Sequence, residues 1–245
     1  MQNLILDFGN TFYKAAVFEQ GNLIHKFSGK KCVPSDLEGL KSRFPNLKKA
    51  LFSTVVELDK ELIDYLFVEF QTFELSELTP IPIKNLYKTP HTLGKDRLAA
   101  AVGASQLFPN KNLLVIDAGS TITYEVITSD GYLGGGISPG IAMRFKALHQ
   151  FTGKLPFISP SENLANLIGQ NTEEAILSGV LNGVLAEVDG IINRYKKDYP
   201  DIFVIITGGD LKHFDKNLKN NIFAAENLVL QGLNFILKYN DNISV

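Results

Sequence analysis

Two stretches of the sequence, 110 residues apart, share one pattern of strand, acidic loop, strand and glycine-centred turn. The residues shared at this constant offset are Asp7, Gly9, Thr11, Gly21 and Leu23 in the first stretch and Asp117, Gly119, Thr121, Gly131 and Leu133 in the second. Unrelated hairpins can look alike, because hairpins draw on few residue types. Agreement in both the DxG(N/S)T loop and the later turn, without a gap, favours an internal duplication.

The duplication predicts the domain organisation. Two domains of similar fold are expected at residues 1–110 and 111–245, joined in the polar stretch 108–112 around Pro109. Elsewhere the hydrophobic periodicity alternates between helix and strand. It predicts helices at about 95–107, 172–197 and 224–239 and a strand at 203–207. This alternation indicates an α/β fold.

Composition and charge exclude several classes of protein. With 245 residues, 45% of them hydrophobic, the chain can bury a substantial core. A net charge of −2 gives no general basic surface for nucleic acid or anionic membrane. No apolar run is expected to reach the roughly 20 residues of a membrane span. Cys32 is the single cysteine, which rules out an internal disulfide and suits a reducing cytoplasm.

The DFGNT loop at 7–11 has the composition of a phosphate-binding turn. Its small residues Gly9, Asn10 and Thr11 allow a tight turn whose N–H groups can surround phosphate oxygens. Asp7 would repel those phosphates unless a cation lay between them, which predicts Mg²⁺ held through the carboxylate, phosphate oxygens and water. Lys14 could neutralise phosphate charge directly.

A simpler alternative makes Asp7 and Asp117 turn formers, because aspartate stabilises turns well. Two acidic loops in register, with a third glycine-rich turn at Thr207-Gly208-Gly209-Asp210, favour a nucleotide site between the two domains.

Five motifs, in order and spacing, resemble those of the type III pantothenate kinases. They are DFGNT at 7–11 with Lys14, GKDR at 94–97, DAGST at 117–121 with Thr123, GGGISPG at 134–140 and GQNT at 169–172. These kinases belong to the acetate and sugar kinase, Hsp70 and actin superfamily, whose two ribonuclease-H-like domains clasp ATP. The resemblance implies phosphorylation of the 4′-hydroxyl of pantothenate by ATP with Mg²⁺, the first step towards coenzyme A. It also implies a homodimer and a monovalent cation, K⁺ or NH₄⁺.

By this resemblance, Asp96 is the base that accepts the hydroxyl proton, and Arg97 binds the carboxylate or amide region of pantothenate. Gly94 allows close approach of the substrate, and Lys95 and Tyr87 belong to the same substrate site. The structural alternatives are that Asp96 only favours a helix start, that Arg97 forms a surface ion pair, and that Tyr87 packs in the core.

The resemblance assigns Asp117 to the monovalent cation and Ser120 to an ATP phosphate, although many family members have threonine at the position of Ser120. Thr121 and Thr123 could supply further hydroxyl ligands, or could simply be good strand formers. Thr172 corresponds to a threonine that reaches pantothenate across the dimer interface. The sequence Asn171–Glu174 can also be read as the capping box of the long helix.

The long helix carries a stripe of small residues, with Gly179 and Gly183 four apart, that predicts a close contact with the partner subunit. The apolar residues expected to accompany this contact are Leu177, Val180, Leu181, Val184, Leu185 and Val188.

Two rival functions remain open at this point. A related small-molecule kinase would change the GKDR and GQNT regions. A non-catalytic regulatory member, acting as a transcription accessory, would be expected to lose one of the three aspartates Asp7, Asp96 and Asp117.

Overall fold

The computed structural model describes residues 2–159 and 165–243. Contacts group the chain into a first compact unit of Met1–Pro109, Asp130–Tyr132 and Asn227–Val245, and a second unit of Asn110–Ser129 and Leu133–Glu226. The strands are β1 (Gln2–Phe8), β2 (Tyr13–Glu19), β3 (Asn22–Gly29), β4 (Leu47–Thr54), β5 (Gln71–Glu74), β6 (Leu113–Ala118), β7 (Thr121–Thr128), β8 (Gly131–Pro139), β9 (Phe203–Thr207) and β10 (Phe223–Ala224). The helices are α1 (Pro34–Arg43), α2 (Lys60–Glu69), α3 (Lys95–Leu107), α4 (Ile141–Gln150), α5 (Thr172–Asp198), α6 (Leu211–Asp215) and α7 (Leu228–Ile243).

The two sheets repeat one topology. The first has the order β3-β2-β1-β4-β5 and the second, read in the same sense, β8-β7-β6-β9-β10. In both, the first strand pairs antiparallel with the next strand of its hairpin, and the strands on its other side run parallel. The expected α/β fold with two duplicated ribonuclease-H-like sheets is therefore confirmed.

Helix α7 packs against α3 in the first unit through two glycines. A Cβ atom on Gly232 would lie 1.8 Å from the carbonyl oxygen of Ala99, and one on Gly103 would lie 2.6 Å from that of Leu228. Only hydrogen at these positions allows the backbones to come so close. Near the end of α7, Asp241 forms an ion pair of 2.6 Å with Lys49 of β4. The C-terminal helix α7 thus packs within the first unit. The division into domains 1–110 and 111–245 stays a prediction.

The last helix begins later than the sequence predicts. Its start was expected at about residue 224, but Phe223–Ala224 forms strand β10 on the edge of the second sheet. Asn227 then adopts a left-handed conformation with φ of 60°, which a helix cannot contain. Sheet pairing and this backbone turn therefore delay the helix to Leu228. By contrast, α3 and β9 have the predicted limits, and α5 ends one residue later than predicted.

Among the described residues, α5 alone is long and apolar enough to cross a membrane, so the expectation that no such segment exists was wrong. One face of α5 is buried in the core of the second unit, through residues that include Ile176, Val180, Val184, Val188 and Ile192. This spacing of three and four residues is that of an amphipathic helix packed on a sheet. We therefore interpret α5 as a core helix of the second unit.

Candidate active site

The carboxylate of Asp7 lies near the end of β1 among polar neighbours. Strand register places Lys14 of β2 and Ser53 of β4 directly opposite Asp7, so the three side chains share one face of the sheet. The Ser53 hydroxyl donates a hydrogen bond of 2.8 Å to Oδ1 of Asp7. Ser53 was missed by the sequence analysis, although it is the first polar residue after the apolar run of β4.

Burial raises the pKa of Asp7 above the usual aspartate value, and this is the largest effect. The hydrogen bond from Ser53 and the charge of Lys14 lower the pKa, whereas the charge of Asp96 raises it. Asp7 and Asp96 therefore lie close enough for their charges to interact.

The remaining residues of the predicted phosphate loop form a tight turn after Asp7. The N–H of Gly9 donates to the carbonyl oxygen of Phe12 at 3.2 Å, which closes the turn. Asn10 and Thr11 are exposed, and Lys14 is half-buried on the following strand. The loop is therefore a compact turn, and its binding of phosphate stays a prediction.

The GKDR segment forms the start of α3. Gly94 precedes the first helical residue, Lys95, and Asp96 lies in the first turn, where its Oδ1 accepts a hydrogen bond of 2.8 Å from the N–H of Arg97. A Cβ atom on Gly94 would lie 2.6 Å from that Oδ1 atom. Glycine is therefore required for the carboxylate to occupy this position. The helix-start interpretation of Asp96 is correct as local structure and is compatible with a chemical role.

Arg97 is not a surface residue, contrary to the simpler alternative, because it is only 6% exposed. Its guanidinium carbon lies 5.6 Å from the ring centroid of Tyr87, at the distance of a cation–π contact. Tyr87 is half-buried and stacks on Tyr132, with ring centroids 6.2 Å apart and an interplanar angle of 25°. The structure thus brings together the predicted substrate residues Tyr87 and Arg97.

In the second unit, Asp117 lies at the corresponding place near the end of β6. Register places Thr123 of β7 and Thr207 of β9 opposite it, so three oxygen-bearing side chains share one face. The hydroxyl of Thr123 is buried and makes no hydrogen bond within the described protein. A buried polar atom in this state costs free energy unless a ligand or water satisfies it.

The two hairpins differ by one residue in register, although their sequences align without a gap. Lys14 faces Asp7, but its counterpart in the repeat, Tyr124, faces Ile116. The second hairpin has a tighter turn, so Thr123 rather than residue 124 is opposite Asp117. The first aspartate consequently faces a fixed positive charge and the second faces a hydroxyl.

Two glycines enclose the DAGST loop. Gly208 has φ of +101°, and a Cβ atom there would lie 2.2 Å from the carbonyl oxygen of Ala118 and 2.5 Å from Oδ1 of Asp117. A Cβ atom on Gly140, the last residue of GGGISPG, would lie 2.1 Å from the carbonyl oxygen of Gly119. Ser120 is exposed and Thr121 half-buried within this loop. The GGGISPG and TGGD segments therefore pack directly on the loop that carries Asp117.

An ion pair fixes the GGGISPG segment. Arg144 of α4 donates to Oε2 of Glu187 on α5 at 2.8 Å and to the carbonyl oxygen of Pro139 at 2.8 Å. The hydroxyl of Ser138 donates to the other oxygen of Glu187 at 2.5 Å. No sequence pattern connects Arg144 with Glu187, because the two residues lie on different helices.

Thr172 is exposed at the first residue of α5 and lines a groove of about 880 Å³ along α4 and α5. Asn171 caps the helix by accepting the N–H of Glu174 at 2.9 Å, as predicted, while Glu174 accepts the N–H of Gln170 at 2.8 Å. The groove is mainly apolar, and Phe151 within it is 81% exposed.

The small-residue stripe of α5 is only partly as predicted. Four of the apolar residues expected at the subunit contact are buried in the core of the second unit, namely Val180, Leu181, Val184 and Val188. Gly179 and Gly183 are exposed, and a Cβ atom on either would meet no atom within 4 Å. The glycines are therefore not required by packing within the described chain.

Comparisons with known proteins agree with this architecture. The family model described as type III pantothenate kinase matches residues 3–194. A type III pantothenate kinase from Christiangramia forsetii is 46% identical over 240 residues, covering 97% of this chain and 98% of its own. Another, from Phocaeicola vulgatus, is 48% identical over 243 residues, covering 98% and 100%.

A solved structure of a Baf family protein from Campylobacter jejuni superposes with a TM-score of 0.58, covering 98% of this chain and 99% of its own. At 23% identity, this likeness supports the fold alone. The family model spans all five motifs, and the two relatives match nearly all of the chain. This chain belongs to the type III pantothenate kinase family.

Proposed function

We propose that this protein transfers the γ-phosphoryl group of ATP to the 4′-hydroxyl of pantothenate, giving 4′-phosphopantothenate for coenzyme A synthesis. The observation that carries the proposal is the position of Asp96 in a chain of this family. Its charge acts on Asp7, and Gly94 leaves room for its carboxylate. Asp7, Asp96 and Asp117 are all retained, which favours turnover over a regulatory role without catalysis.

In the proposed reaction, Asp96 accepts the proton of the 4′-hydroxyl as the oxygen attacks the γ-phosphorus and the bond to ADP breaks. Its hydrogen bond from the N–H of Arg97 orients the carboxylate. The Arg97 guanidinium binds the carboxylate or amide end of pantothenate, with the Tyr87 ring against its face. Lys95, half-buried at the helix start, adds positive charge to the same substrate site.

The Asp7 loop is proposed to bind the phosphates of ATP with Mg²⁺. The residues present fit this role: Asp7 offers a half-buried carboxylate, Lys14 a positive charge opposite it, and the Gly9–Phe12 turn a compact backbone. Asn10 and Thr11 lie on the exposed side of the turn and are assigned to phosphate contact. When bound, Mg²⁺ would neutralise charge on the phosphates.

The Asp117 loop is proposed to hold the monovalent cation, K⁺ or NH₄⁺, and to contact ATP phosphate through Ser120 and Thr121. The fit rests on the buried hydroxyl of Thr123, which has no hydrogen bond in the described protein and faces the same side as the Asp117 carboxylate. Hard cations prefer oxygen ligands of this kind.

We also propose a homodimer in which Thr172 completes the pantothenate site of the partner subunit. The apolar groove next to Thr172 and the exposed glycines of α5 support the proposal that a partner subunit covers this surface. Gly183→Leu should leave each chain folded, because no neighbouring atom restricts its side chain, but should give an inactive monomer. A variant that is monomeric by light scattering and fully active would contradict the shared site.

The two-domain division at 1–110 and 111–245 is proposed on the sequence repeat. Limited proteolysis should cut first within 108–112, where the connector is polar and contains Pro109. The two fragments should then stay associated, because α7 packs against α3. Fragments that separate freely after this cut would contradict that expectation.

The function is tested by offering the purified protein ATP with pantothenate, glucose or N-acetylmannosamine, in K⁺ and in Na⁺, and measuring ADP release. We expect turnover with pantothenate, stimulated by K⁺, and none with the sugars. Preference for a sugar would indicate a related small-molecule kinase, and no turnover with any acceptor would favour the regulatory role.

A cytoplasmic location is proposed from the single, buried cysteine and checked by cell fractionation.

A further inference from the structure

The turn at Asp130–Tyr132 has a structural role that its position in the repeat does not require. It is the second glycine-centred turn of the duplication, and its residue Tyr132 is fully buried. The equivalent residue of the first repeat is Asn22, which is exposed. The first hairpin therefore folds without a buried aromatic residue at this position. The hairpin fold alone does not explain why Tyr132 is buried.

Backbone hydrogen bonds attach this turn to the segment that leads into the substrate residues. The N–H of Tyr132 donates to the carbonyl oxygen of Lys84 at 2.8 Å, and the N–H of Leu86 donates back to the carbonyl oxygen of Tyr132 at 2.9 Å. Gly131 has φ of +131°, and a Cβ atom there would lie 2.3 Å from the carbonyl oxygen of Lys84. Only glycine allows this approach.

The segment so attached has little regular structure of its own. Between the end of β5 at Glu74 and the start of α3 at Lys95 it contains one short 3₁₀ turn, Pro90–Thr92. Loops of this length in compact proteins usually carry function and must be held in place by other contacts. For residues 84–86, the Tyr132 backbone supplies those contacts.

The side chains continue the attachment as a stack of three groups. The buried ring of Tyr132 stacks on Tyr87, and the Tyr87 ring lies against the guanidinium of Arg97. Close packing around the fully buried Tyr132 ring restricts its movement, and its stacking contact in turn restricts Tyr87. Replacing Tyr132 should therefore change the position of Tyr87 and, through it, that of Arg97.

We propose that Tyr132 is a positioning residue for pantothenate, holding Tyr87 and thereby Arg97 in the orientation that binds the substrate. This inference rests on the proposed function. Tyr132 itself is fully buried and contacts no substrate.

The test is the kinetics of Tyr132→Leu beside Tyr132→Phe. Stacked aromatic pairs and cation–π contacts have modest energies, so we expect Tyr132→Leu to raise the KM for pantothenate about three- to tenfold. The KM for ATP should stay within about twofold of wild type. Tyr132→Phe keeps the ring and should restore the KM for pantothenate to within about twofold.

A matched control separates positioning from general loss of stability. Phe145→Leu removes a fully buried ring from the core of the second unit, whereas the stack belongs to the first unit. It should lower the melting temperature without raising the KM for pantothenate. If Tyr132→Leu leaves that KM unchanged, raises both KM values equally, or behaves like Tyr132→Phe, positioning is refuted. A wild-type protein that does not phosphorylate pantothenate would instead refute the proposed function.

Discussion

Replacing Asp96 with asparagine tests the proposed base while preserving its surroundings. An asparagine side chain has nearly the same shape, and its oxygen can still accept the 2.8 Å hydrogen bond from the N–H of Arg97. It cannot accept a proton from the substrate hydroxyl. The variant therefore separates proton transfer from local structure.

The expected loss of activity is far larger than the expected loss of stability. Removal of a general base typically lowers the rate by about 10² to 10⁴, which corresponds to about 3–5 kcal/mol in the activation barrier. Loss of one negative charge in the first turn of α3 costs only about 0.3–1 kcal/mol. In a chain of this size, that shifts the melting temperature by no more than about 4 °C.

The assay is ADP release under saturating ATP and pantothenate, with the melting temperature measured on the same samples. Asp36→Asn is a suitable control, because Asp36 also lies in the first turn of a helix and accepts a backbone hydrogen bond, of 3.0 Å from Val33. The control should keep kcat within about twofold. If Asp96→Asn stayed within tenfold of the wild-type kcat, the assignment of Asp96 as base would be wrong.

Three further variants and one control test the two loops and the turn at Gly208. Asp7→Asn should raise the KM for Mg-ATP more than that for pantothenate; equal effects would contradict its assignment. Burial raises the pKa of Asp7, so the native chain keeps the carboxyl proton of Asp7 to higher pH than the unfolded chain does. Ionisation of Asp7 therefore lowers the free energy of unfolding as pH rises above the usual carboxyl range. The free energy of unfolding of Asp7→Asn at pH 7 should accordingly equal or exceed that of wild type in denaturant titrations, and a clear decrease would contradict this reasoning. Gly208→Ala should destabilise the protein by more than about 1 kcal/mol, because its Cβ atom would clash with the carbonyl oxygen of Ala118. Gly209→Ala is the control and should be tolerated, because its Cβ atom would meet no atom within 4 Å. Similar melting temperatures for the two variants would exclude the clash. Asp117→Asn should abolish stimulation by K⁺, and unchanged stimulation would place the cation elsewhere.

The internal repeat predicted the fold well because it reports on whole hairpins. Strand, loop, strand and turn recur together, and the two sheets share their strand order. The limits of α3 and β9 followed from hydrophobic periodicity and flanking turn residues. The start of α7 could not be obtained this way, since pairing of Phe223–Ala224 with β9 is a long-range contact.

For the candidate site, the sequence predicts residue types better than geometry. Sequence motifs predict roles for Asp7, Asp96 and Asp117, which stay predictions. The one-residue difference between the hairpins, which puts Lys14 opposite one aspartate and Thr123 opposite another, is a property of strand register. Ser53 and Tyr132 come from distant parts of the chain and belong to no motif. Only the packed structure shows that they contact residues of the site.

The central claim is that the protein phosphorylates the 4′-hydroxyl of pantothenate at the expense of ATP. Phosphorus NMR of a reaction containing only the purified protein, Mg-ATP, K⁺ and pantothenate tests it most directly. The account predicts one new phosphomonoester signal, coupled to the methylene protons next to the 4′-oxygen and growing in a one-to-one ratio with ADP. Formation of ADP with inorganic phosphate alone, or no change in the spectrum, would contradict it.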